Sequence, residues 1–167
     1  MVHEVSREEQ DRFALRSFEL AREANFSDEI VPISGHDHKG NPTLVKKDDL
    51  GLHALSTTFE TLSSLKPAFV PGIGTVTAGN SSAISDGAAA LLVMSGGKAA
   101  ELGLEPIARV VSWGVAGINP SVMGYAPVNA VEIALKHACL TIDNIDVVEL
   151  NEAFAAQAIP VLRDLGL

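Results

Sequence analysis

An asparagine follows the last predicted strand of the chain, at a position where side chains commonly meet ligands. Residues 145–150 form an apolar-rich run typical of a buried strand, and Asn151-Glu-Ala-Phe leads into a predicted helix over residues 152–165. Ligands of open α/β sheets gather at the carboxyl ends of strands, where the Asn151 amide can orient a substrate or a water. The alternative is that Asn151 caps the helix, a role that asparagine also fills well.

Two loops of small or apolar residues precede predicted elements. Residues 74–85 are uncharged and rich in Gly, Ser and Thr, which suits either a polar ligand or a tightly packed connection. No lysine follows the glycines, so the loop is not a nucleotide-binding P-loop. Met123-Gly-Tyr-Ala-Pro127 is the second loop; Met and Tyr often line adaptable pockets, although its composition favours core packing beneath the loop.

The cysteine and the histidines carry weaker signals. Cys139 is the one cysteine of the chain, and its neighbours Ala138 and Leu140 predict a buried structural thiol rather than a nucleophile. His36-Asp37-His38 offers metal-ligand side chains, but no second cluster at complementary spacing accompanies it. We therefore expect a solvent-facing turn there and no metal site.

The elements that would position these residues alternate between helices and strands. A capping box, in which Ser6 and Glu9 can satisfy free backbone N–H groups, predicts a helix over 6–24. Residues 35–50 look like an exposed polar excursion. The remaining predicted elements are an extended run at 29–34, helices at 59–65, 98–102, 127–138 and 152–165, and buried strands at 88–95, 107–115 and 145–150. This alternation indicates a layered α/β architecture.

Composition excludes several classes of partner. The 167 residues carry a net charge of −9, so neither nucleic acid nor an anionic membrane is an expected partner. No apolar run reaches the length of a membrane helix, and we expect no membrane insertion. A single cysteine cannot form an internal disulfide.

Taken together, the motifs resemble the thiolase family and, within it, the 3-ketoacyl-CoA thiolases (acetyl-CoA acyltransferases) of fatty-acid β-oxidation. The resemblance covers essentially the whole chain. The motifs that carry it are Ser6-Arg-Glu-Glu-Gln-Asp11, Leu65-Lys-Pro-Ala-Phe69, Gly74-Thr-Val-Thr-Ala-Gly-Asn-Ser-Ser82, Ser85-Asp-Gly-Ala-Ala89, Met123-Gly-Tyr-Ala-Pro127 and Asn151-Glu-Ala-Phe-Ala-Ala-Gln157.

The resemblance implies an internal fragment of a thiolase-like layered α/β fold. By that interpretation residues 1–84 are the C-terminal part of the inserted loop domain, which covers coenzyme A in the family. Residues 85–115 end the N-terminal domain, and residues 116–167 begin the C-terminal domain.

The family's reaction is thiolytic cleavage of a 3-ketoacyl-CoA by coenzyme A, or the reverse Claisen condensation, through an acylated cysteine. The resemblance implies that Asn151 holds a water of an oxyanion hole and that Ser82 hydrogen-bonds the pantetheine arm. Phe69, Ala78 and Ile84 would wall the coenzyme A tunnel. Met123 would line the acyl cavity, with Ala153 and Phe154 beside it.

The sequence also departs from the family. It lacks the nucleophilic cysteine in its family context, the Gly-His-Pro histidine and the second catalytic cysteine, and Cys139 matches neither cysteine. We therefore expect no activity from the 167 residues alone. A noncatalytic CoA-binding piece or a purely structural α/β piece are the alternatives.

Further expectations follow from the resemblance. Coenzyme A and acyl-CoA thioesters would be the substrates, with no cofactor besides. The parent would be a homo-oligomer, with a β-oxidation partner subunit left open. Its location would be the cytoplasm in a bacterium or an organelle matrix in a eukaryote.

Overall fold

The computed structural model describes residues 3–37, 39–47 and 56–167. The chain divides into two compact units, which are described separately below. Unit 1 comprises Met1–Ser82 with Glu152–Ile159, and unit 2 comprises Ala83–Asn151 with Pro160–Leu167.

Unit 1 begins with helix α1 (Arg7–Glu23), which confirms the predicted helix. The Ser6 side chain accepts a hydrogen bond from the Glu9 backbone N–H at 3.1 Å, as the capping motif requires. Helix α1 buries Gln10, Asp11 and Ala14, so two of the three side chains on its inner face are polar. These polar groups must find partners inside the unit.

A β-hairpin follows, built from β1 (Ile33–His36) and β2 (Pro42–Val45), which pair antiparallel. The Asp37 carboxylate forms the turn by accepting the N–H groups of Lys39 at 2.8 Å and Asn41 at 2.9 Å. The Asn41 side chain donates to the same carboxylate and contributes most to lowering the pKa of Asp37. Where the predicted polar excursion is described, in residues 35–37 and 39–47, it is mostly exposed as expected, but β1 and β2 form a hairpin there. Residues 38 and 48–50 of the excursion lie outside the described residues.

The short helix α2 (Phe59–Ser63) confirms the predicted helix in this region. Thr58 and Thr61 form a reciprocal capping box at its start. Leu62 is buried where α2 packs against α1, and the Arg12 guanidinium lies 4.9 Å from the Phe59 ring centre. Ala155 and Ile159 complete the unit by forming a small core with Val5 and Phe13.

Unit 2 contains helix α3 (Gly96–Glu101), helix α4 (Ala126–Ala138) and two short 3₁₀ segments, Pro120–Tyr125 and Ile142–Asn144. Ser95 caps α3 through the Lys98 N–H, and Gly103 follows it at φ +66°, which confirms the predicted glycine stop. The last helix, α5 (Ala155–Leu165), runs from unit 1 into the chain of unit 2. None of the helices described in 3–37, 39–47 and 56–167 is long and apolar enough to cross a membrane.

The three predicted buried strands are wrong as stated. Across the described residues, segments 88–95, 107–115 and 145–150 join no ladder, and the hairpin is the one sheet. Apolar side chains in them face solvent: Leu91 is 90% exposed and Val115 83%. The physical reason is that a strand needs a neighbouring backbone to bond and a layer to cover it, and these segments have no neighbouring strand in the described chain.

One of these segments nevertheless keeps the side-chain alternation of a strand. Between residues 111 and 118, half-buried and exposed positions alternate strictly. Ser112 and Gly114 are on the half-buried side, while Val111 and Trp113 are exposed. The Ser112 hydroxyl donates to the Ala134 carbonyl at 2.7 Å, so α4 covers the small-residue face. The face of this segment that carries the bulky apolar side chains is exposed to solvent.

Candidate functional site

Unit 1 joins the small-residue loop to the segment that follows Asn151. The Ser82 N–H donates to the Ala153 carbonyl at 3.0 Å, and Ser81 forms an antiparallel bridge with Phe154. This pairing is an isolated bridge between parts of the chain that are distant in sequence. It brings together Ser82, which the resemblance assigns to coenzyme A binding, and Ala153 and Phe154, which it assigns to the acyl pocket.

Phe69 is the fourth predicted residue at this place. Its ring meets the Phe154 ring edge to face, with centroids 6.2 Å apart and an interplanar angle of 76°. Phe69 is 70% exposed and Phe154 is half-buried, so the pair presents an aromatic edge to solvent. Ser82 and Ala153 are also exposed. The result is an open surface with an aromatic side and an exposed serine.

The loop that ends in Ser82 is shaped by Asn80. The Asn80 side chain accepts the Thr77 N–H at 2.8 Å and donates to the Thr75 carbonyl at 3.0 Å. The Thr77 hydroxyl in turn accepts the Gly79 N–H, so residues 77–80 close as a 3₁₀ turn, Ala78–Asn80. Ala78, predicted to wall the coenzyme A tunnel, begins this turn and is exposed.

Two side chains of α1 anchor the same loop. Asn80 also donates to the Asp11 carboxylate at 2.9 Å, and both residues are buried, Asp11 completely. Arg7 donates to the other Asp11 oxygen at 2.8 Å and to the carbonyls of Leu62 and Leu65 at 2.8 and 2.9 Å. Arg7 therefore satisfies the carbonyls at the end of α2 while it holds the Asp11 carboxylate.

Gly79 allows the loop to approach α2. A β-carbon at Gly79 would lie 2.6 Å from side-chain atoms of both Leu62 and Leu65. Glycine is needed here because of the close approach, since its φ is not in the left-handed region.

Three predicted site residues belong to unit 2, and all are exposed. Asn151 starts no helix, because α5 begins at Ala155, so the alternative that Asn151 caps α5 is wrong. Its side chain has no hydrogen-bond partner among the described residues and faces solvent. Ile84 is fully exposed, and Met123, in the 3₁₀ segment Pro120–Tyr125, is 69% exposed. The expectation of core packing is therefore wrong for Met123.

The loop that bears Met123 is fixed at its end by Tyr125. The Tyr125 hydroxyl donates to the Asp164 carboxylate at 2.5 Å. This hydrogen bond favours the neutral phenol and is the main reason that the pKa of Tyr125 is raised; the negative charges of Asp164 and Glu132 add to the effect.

The cysteine differs from its expected environment. Cys139 is exposed, which overturns the prediction of a buried thiol. It occupies the left-handed residue that ends α4, with φ 55° and ψ 39°, so the helix end carries the thiol out to solvent.

The described ranges contain no group of three His, Cys, Asp or Glu side chains placed to hold a metal ion. His38 of the His-Asp-His segment lies outside the described residues.

Sequence reasoning missed Arg7, Asp11 and Asn80 as site-building residues. All three lie within motifs that carry the resemblance, yet nothing in the sequence alone tells that Asp11 and Asn80 touch. The available signal was a pair of polar residues on an otherwise apolar helix face. That signal is also typical of a solvated surface.

Comparison with known families decides the classification. The model of the thiolase N-terminal domain matches residues 1–97, and that of the thiolase C-terminal domain matches residues 104–167. The chain belongs to the thiolase family. The predicted thiolase-like α/β fold, present in part, is confirmed by two solved thiolase-family structures. The Bacillus anthracis acetyl-CoA acetyltransferase matches with a TM-score of 0.85 at 43% identity, covering 98% of this chain and 42% of that one. Human mitochondrial 3-ketoacyl-CoA thiolase matches with a TM-score of 0.83 at 40% identity, covering 99% and 41%.

Curated relatives of this thiolase chain are named 3-ketoacyl-CoA thiolase. The protein of Marinomonas sp. (strain MWYL1) is 59% identical over 99% of this chain, and that of Saccharophagus degradans (strain 2-40) is 56% identical over all of it. In both cases the match covers 43% of the relative. The chain thus spans less than half the length of these thiolases.

Proposed function

We propose that this chain is an internal part of a 3-ketoacyl-CoA thiolase, an acyltransferase of fatty-acid β-oxidation, and that it supplies part of the substrate-binding surface. The observation that carries the proposal is the joining of Phe69, Ser82, Ala153 and Phe154 in unit 1. An exposed serine beside an aromatic edge suits a ligand with amide groups and an alkyl chain, which is the chemistry of pantetheine. The names of the relatives support the same substrate class.

Each residue then has a distinct task in the full-length protein. Ser82 hydrogen-bonds the pantetheine arm, while Phe69, Ala78 and Ile84 form its apolar walls. Met123 lines the acyl cavity, and Ala153 and Phe154 lie beside the reacting end. Asn151 is exposed, with no partner for its amide among the described residues, and holds the water that stabilises the developing thioester oxyanion.

The covalent step needs groups that this chain does not supply. Acyl transfer in the family requires an activated thiolate, and the sequence has one cysteine, Cys139, exposed at a helix end. It also has no Gly-His-Pro segment. We propose that the nucleophile, the histidine and the second cysteine come from the rest of the protein and that the 167 residues alone are inactive.

The division into parts is a proposal of the same kind. Residues 1–84 are assigned to the end of the loop domain, 85–115 to the N-terminal domain and 116–167 to the C-terminal domain. Crystallography of the full-length protein tests these bounds.

The other properties of the whole protein are also proposals. We propose a homo-oligomer, with or without a β-oxidation partner subunit, located in the cytoplasm or an organelle matrix according to the host. Sedimentation, co-purification and a fluorescent fusion test these points. Coenzyme A acts as substrate and no cofactor is required, so thiolysis should survive exhaustive chelation.

The proposed roles are tested by steady-state thiolysis of a 3-ketoacyl-CoA by the full-length protein. Ser82→Ala should raise KM for coenzyme A several-fold and leave kcat nearly unchanged, because it removes ground-state binding. Asn151→Ala should instead lower kcat by about 10²–10³-fold, the usual effect of losing one oxyanion donor.

Matched controls are Ser27→Ala and Asn129→Ala, since both residues are exposed and have no proposed role. Full-length protein without thiolysis that still binds coenzyme A would favour the noncatalytic CoA-binding alternative. Absence of both activities would leave a structural α/β piece.

A further inference from the structure

We infer that Asp11 and Asn80 are positioning residues that set the shape of the loop over residues 75–82 and so present Ser82 to the pantetheine arm. This inference rests on the proposed function, because it assigns to a buried pair the task of placing a residue that binds substrate. Both residues are buried: Asp11 is 0% exposed and Asn80 is 3% exposed.

The Asn80 side chain is held at both of its polar atoms. Its Oδ1 accepts the Thr77 N–H at 2.8 Å, and its Nδ2 donates to the Asp11 Oδ1 at 2.9 Å and to the Thr75 carbonyl at 3.0 Å. Because one planar amide makes three hydrogen bonds, its orientation and the path of residues 75–80 are fixed together.

Asp11 is itself oriented from the other side. Its Oδ2 accepts from the Arg7 Nε at 2.8 Å, which leaves Oδ1 for Asn80. The Arg7 Nη2 donates to the Leu62 and Leu65 carbonyls at the end of α2, so this hydrogen-bond network is anchored on a helix end. Helices α1 and α2 therefore together fix the position of the loop.

The orientation of the Asn80 amide determines the position of Ser82 through two further hydrogen bonds. The Ser81 hydroxyl donates to the Thr77 carbonyl at 2.7 Å, and the next residue places its N–H on the Ala153 carbonyl. Ser82 follows Asn80 by two positions, so a turn of the Asn80 amide displaces the serine. A binding group that shifts by about 1 Å loses much of its effect.

Stability by itself is a weak explanation for this buried pair. Replacing buried charged networks by apolar residues of similar size is often neutral or stabilising. A charged network with separate partners for each oxygen does, however, select one geometry among many. This distinction makes the inference testable, because the placement of Ser82 is measured by KM for coenzyme A and the stability of the protein by Tm.

The experiment uses the full-length thiolase with Asp11→Asn, Asn80→Asp and the exchanged pair Asp11→Asn/Asn80→Asp. In Asn80→Asp two carboxylates face each other, and in Asp11→Asn one of the two acceptor bonds is lost. In the exchanged pair the amide introduced at position 11 can donate to the carboxylate introduced at position 80, while the oxygen of that amide still accepts from Arg7. The hydrogen bond to the Thr75 carbonyl is not restored, because a carboxylate at position 80 has no donor. Glu8→Gln on α1 is the control, because it breaks an exposed pair with Arg12.

Each single variant should raise KM for coenzyme A by about tenfold, with a smaller change in kcat, as expected for one charge-assisted hydrogen bond. The exchanged pair should recover part of the loss seen in Asn80→Asp, since it restores the contact between positions 11 and 80 but not the hydrogen bond to Thr75. Glu8→Gln should match the unsubstituted enzyme. The Ser82 N–H should also exchange with deuterium faster in the single variants than in the exchanged pair.

An unchanged KM in Asp11→Asn or Asn80→Asp, whatever happens to Tm, would overturn the inference. If Asn80→Asp does not fold, Asp11→Asn decides by the same criterion, and an exchanged pair that folds where Asn80→Asp does not supports the contact between positions 11 and 80. Failure of the proposed function can be distinguished from failure of this inference, because the unsubstituted enzyme would then show no saturable use of coenzyme A.

Discussion

Gly114 lies so close to helix α4 that a β-carbon on it would overlap the Ala130 carbonyl and come within 2.8 Å of the Ala134 backbone nitrogen. The segment around residue 114 therefore contacts α4 backbone to backbone. This close contact explains why the covered residues Ser112, Gly114 and Ala116 are small, while the exposed Val111, Trp113 and Val115 are bulky.

Gly114→Ala should destabilise the full-length protein by about 1–3 kcal/mol, because a helix backbone cannot move aside as a side chain can. Gly117→Ala is the matched control, since a β-carbon there meets nothing within 4 Å. The control should stay within about 0.5 kcal/mol of the unsubstituted protein. Thermal unfolding measures both, and equal Tm values for the two variants would contradict the close contact.

Cys139→Gly should raise stability by about 0.5–1 kcal/mol, because Cys139 adopts φ 55° at the end of α4, where glycine carries no side-chain penalty. The reciprocal control is Gly103→Ala, which forces a side chain into φ +66° at the end of α3 and should destabilise. Thiolysis by full-length Cys139→Gly should be unchanged. A large loss of turnover would show that this thiol takes part in the reaction.

The Tyr125 phenol should titrate above the ordinary tyrosine pKa of about 10, because its hydrogen bond to Asp164 favours the neutral form. A raised pKa in the folded state means that this contact stabilises the protein below a pH of about 10. The stabilisation is lost as the pH rises through the raised pKa. The measurement uses the isolated 167-residue chain, which has one tyrosine, so that tyrosinate absorbance reports Tyr125 alone. Asp164→Asn should lower the midpoint towards the ordinary value, and an unmoved midpoint would contradict the assignment.

The isolated 167-residue chain should show no thiolysis and should self-associate as its concentration rises. Leu91, Leu92 and Val93 are 90%, 82% and 74% exposed in an extended segment with no paired neighbour in the described chain. Such segments pair with one another. Leu92→Glu should lower the weight-average mass in sedimentation, whereas Leu20→Glu, at a half-exposed site on α1, should not. A concentration-independent monomer would contradict this expectation.

Local elements were predictable where their signals lie within a few residues. The Ser6 cap, the start of α2 and the glycine stop after α3 need only near neighbours, and each agrees with the structure. The Asp37 turn was not recognised as a hairpin because its flanking strands are short and exposed on both faces.

Features that depend on distant partners were not predictable. The apolar runs at 88–95, 107–115 and 145–150 resemble buried strands because burial was inferred from composition, while burial requires a neighbour that the described chain does not provide. For the same reason the sequence around Asn80 does not predict its contact with Asp11, 69 positions away. The joining of Ser82 to Ala153 could be expected from the family resemblance and not from residue patterns.

The anchoring of the loop over residues 75–82 also has a consequence for the order of folding during synthesis. The described partners of Arg7, Asp11 and Asn80 all lie between residues 7 and 80, so this network can close before residues 83–167 leave the ribosome. The Ala153 carbonyl that receives the Ser82 N–H emerges much later. The loop over residues 75–82 is thus shaped first by contacts within residues 7–80, and the segment after Asn151 docks onto it later.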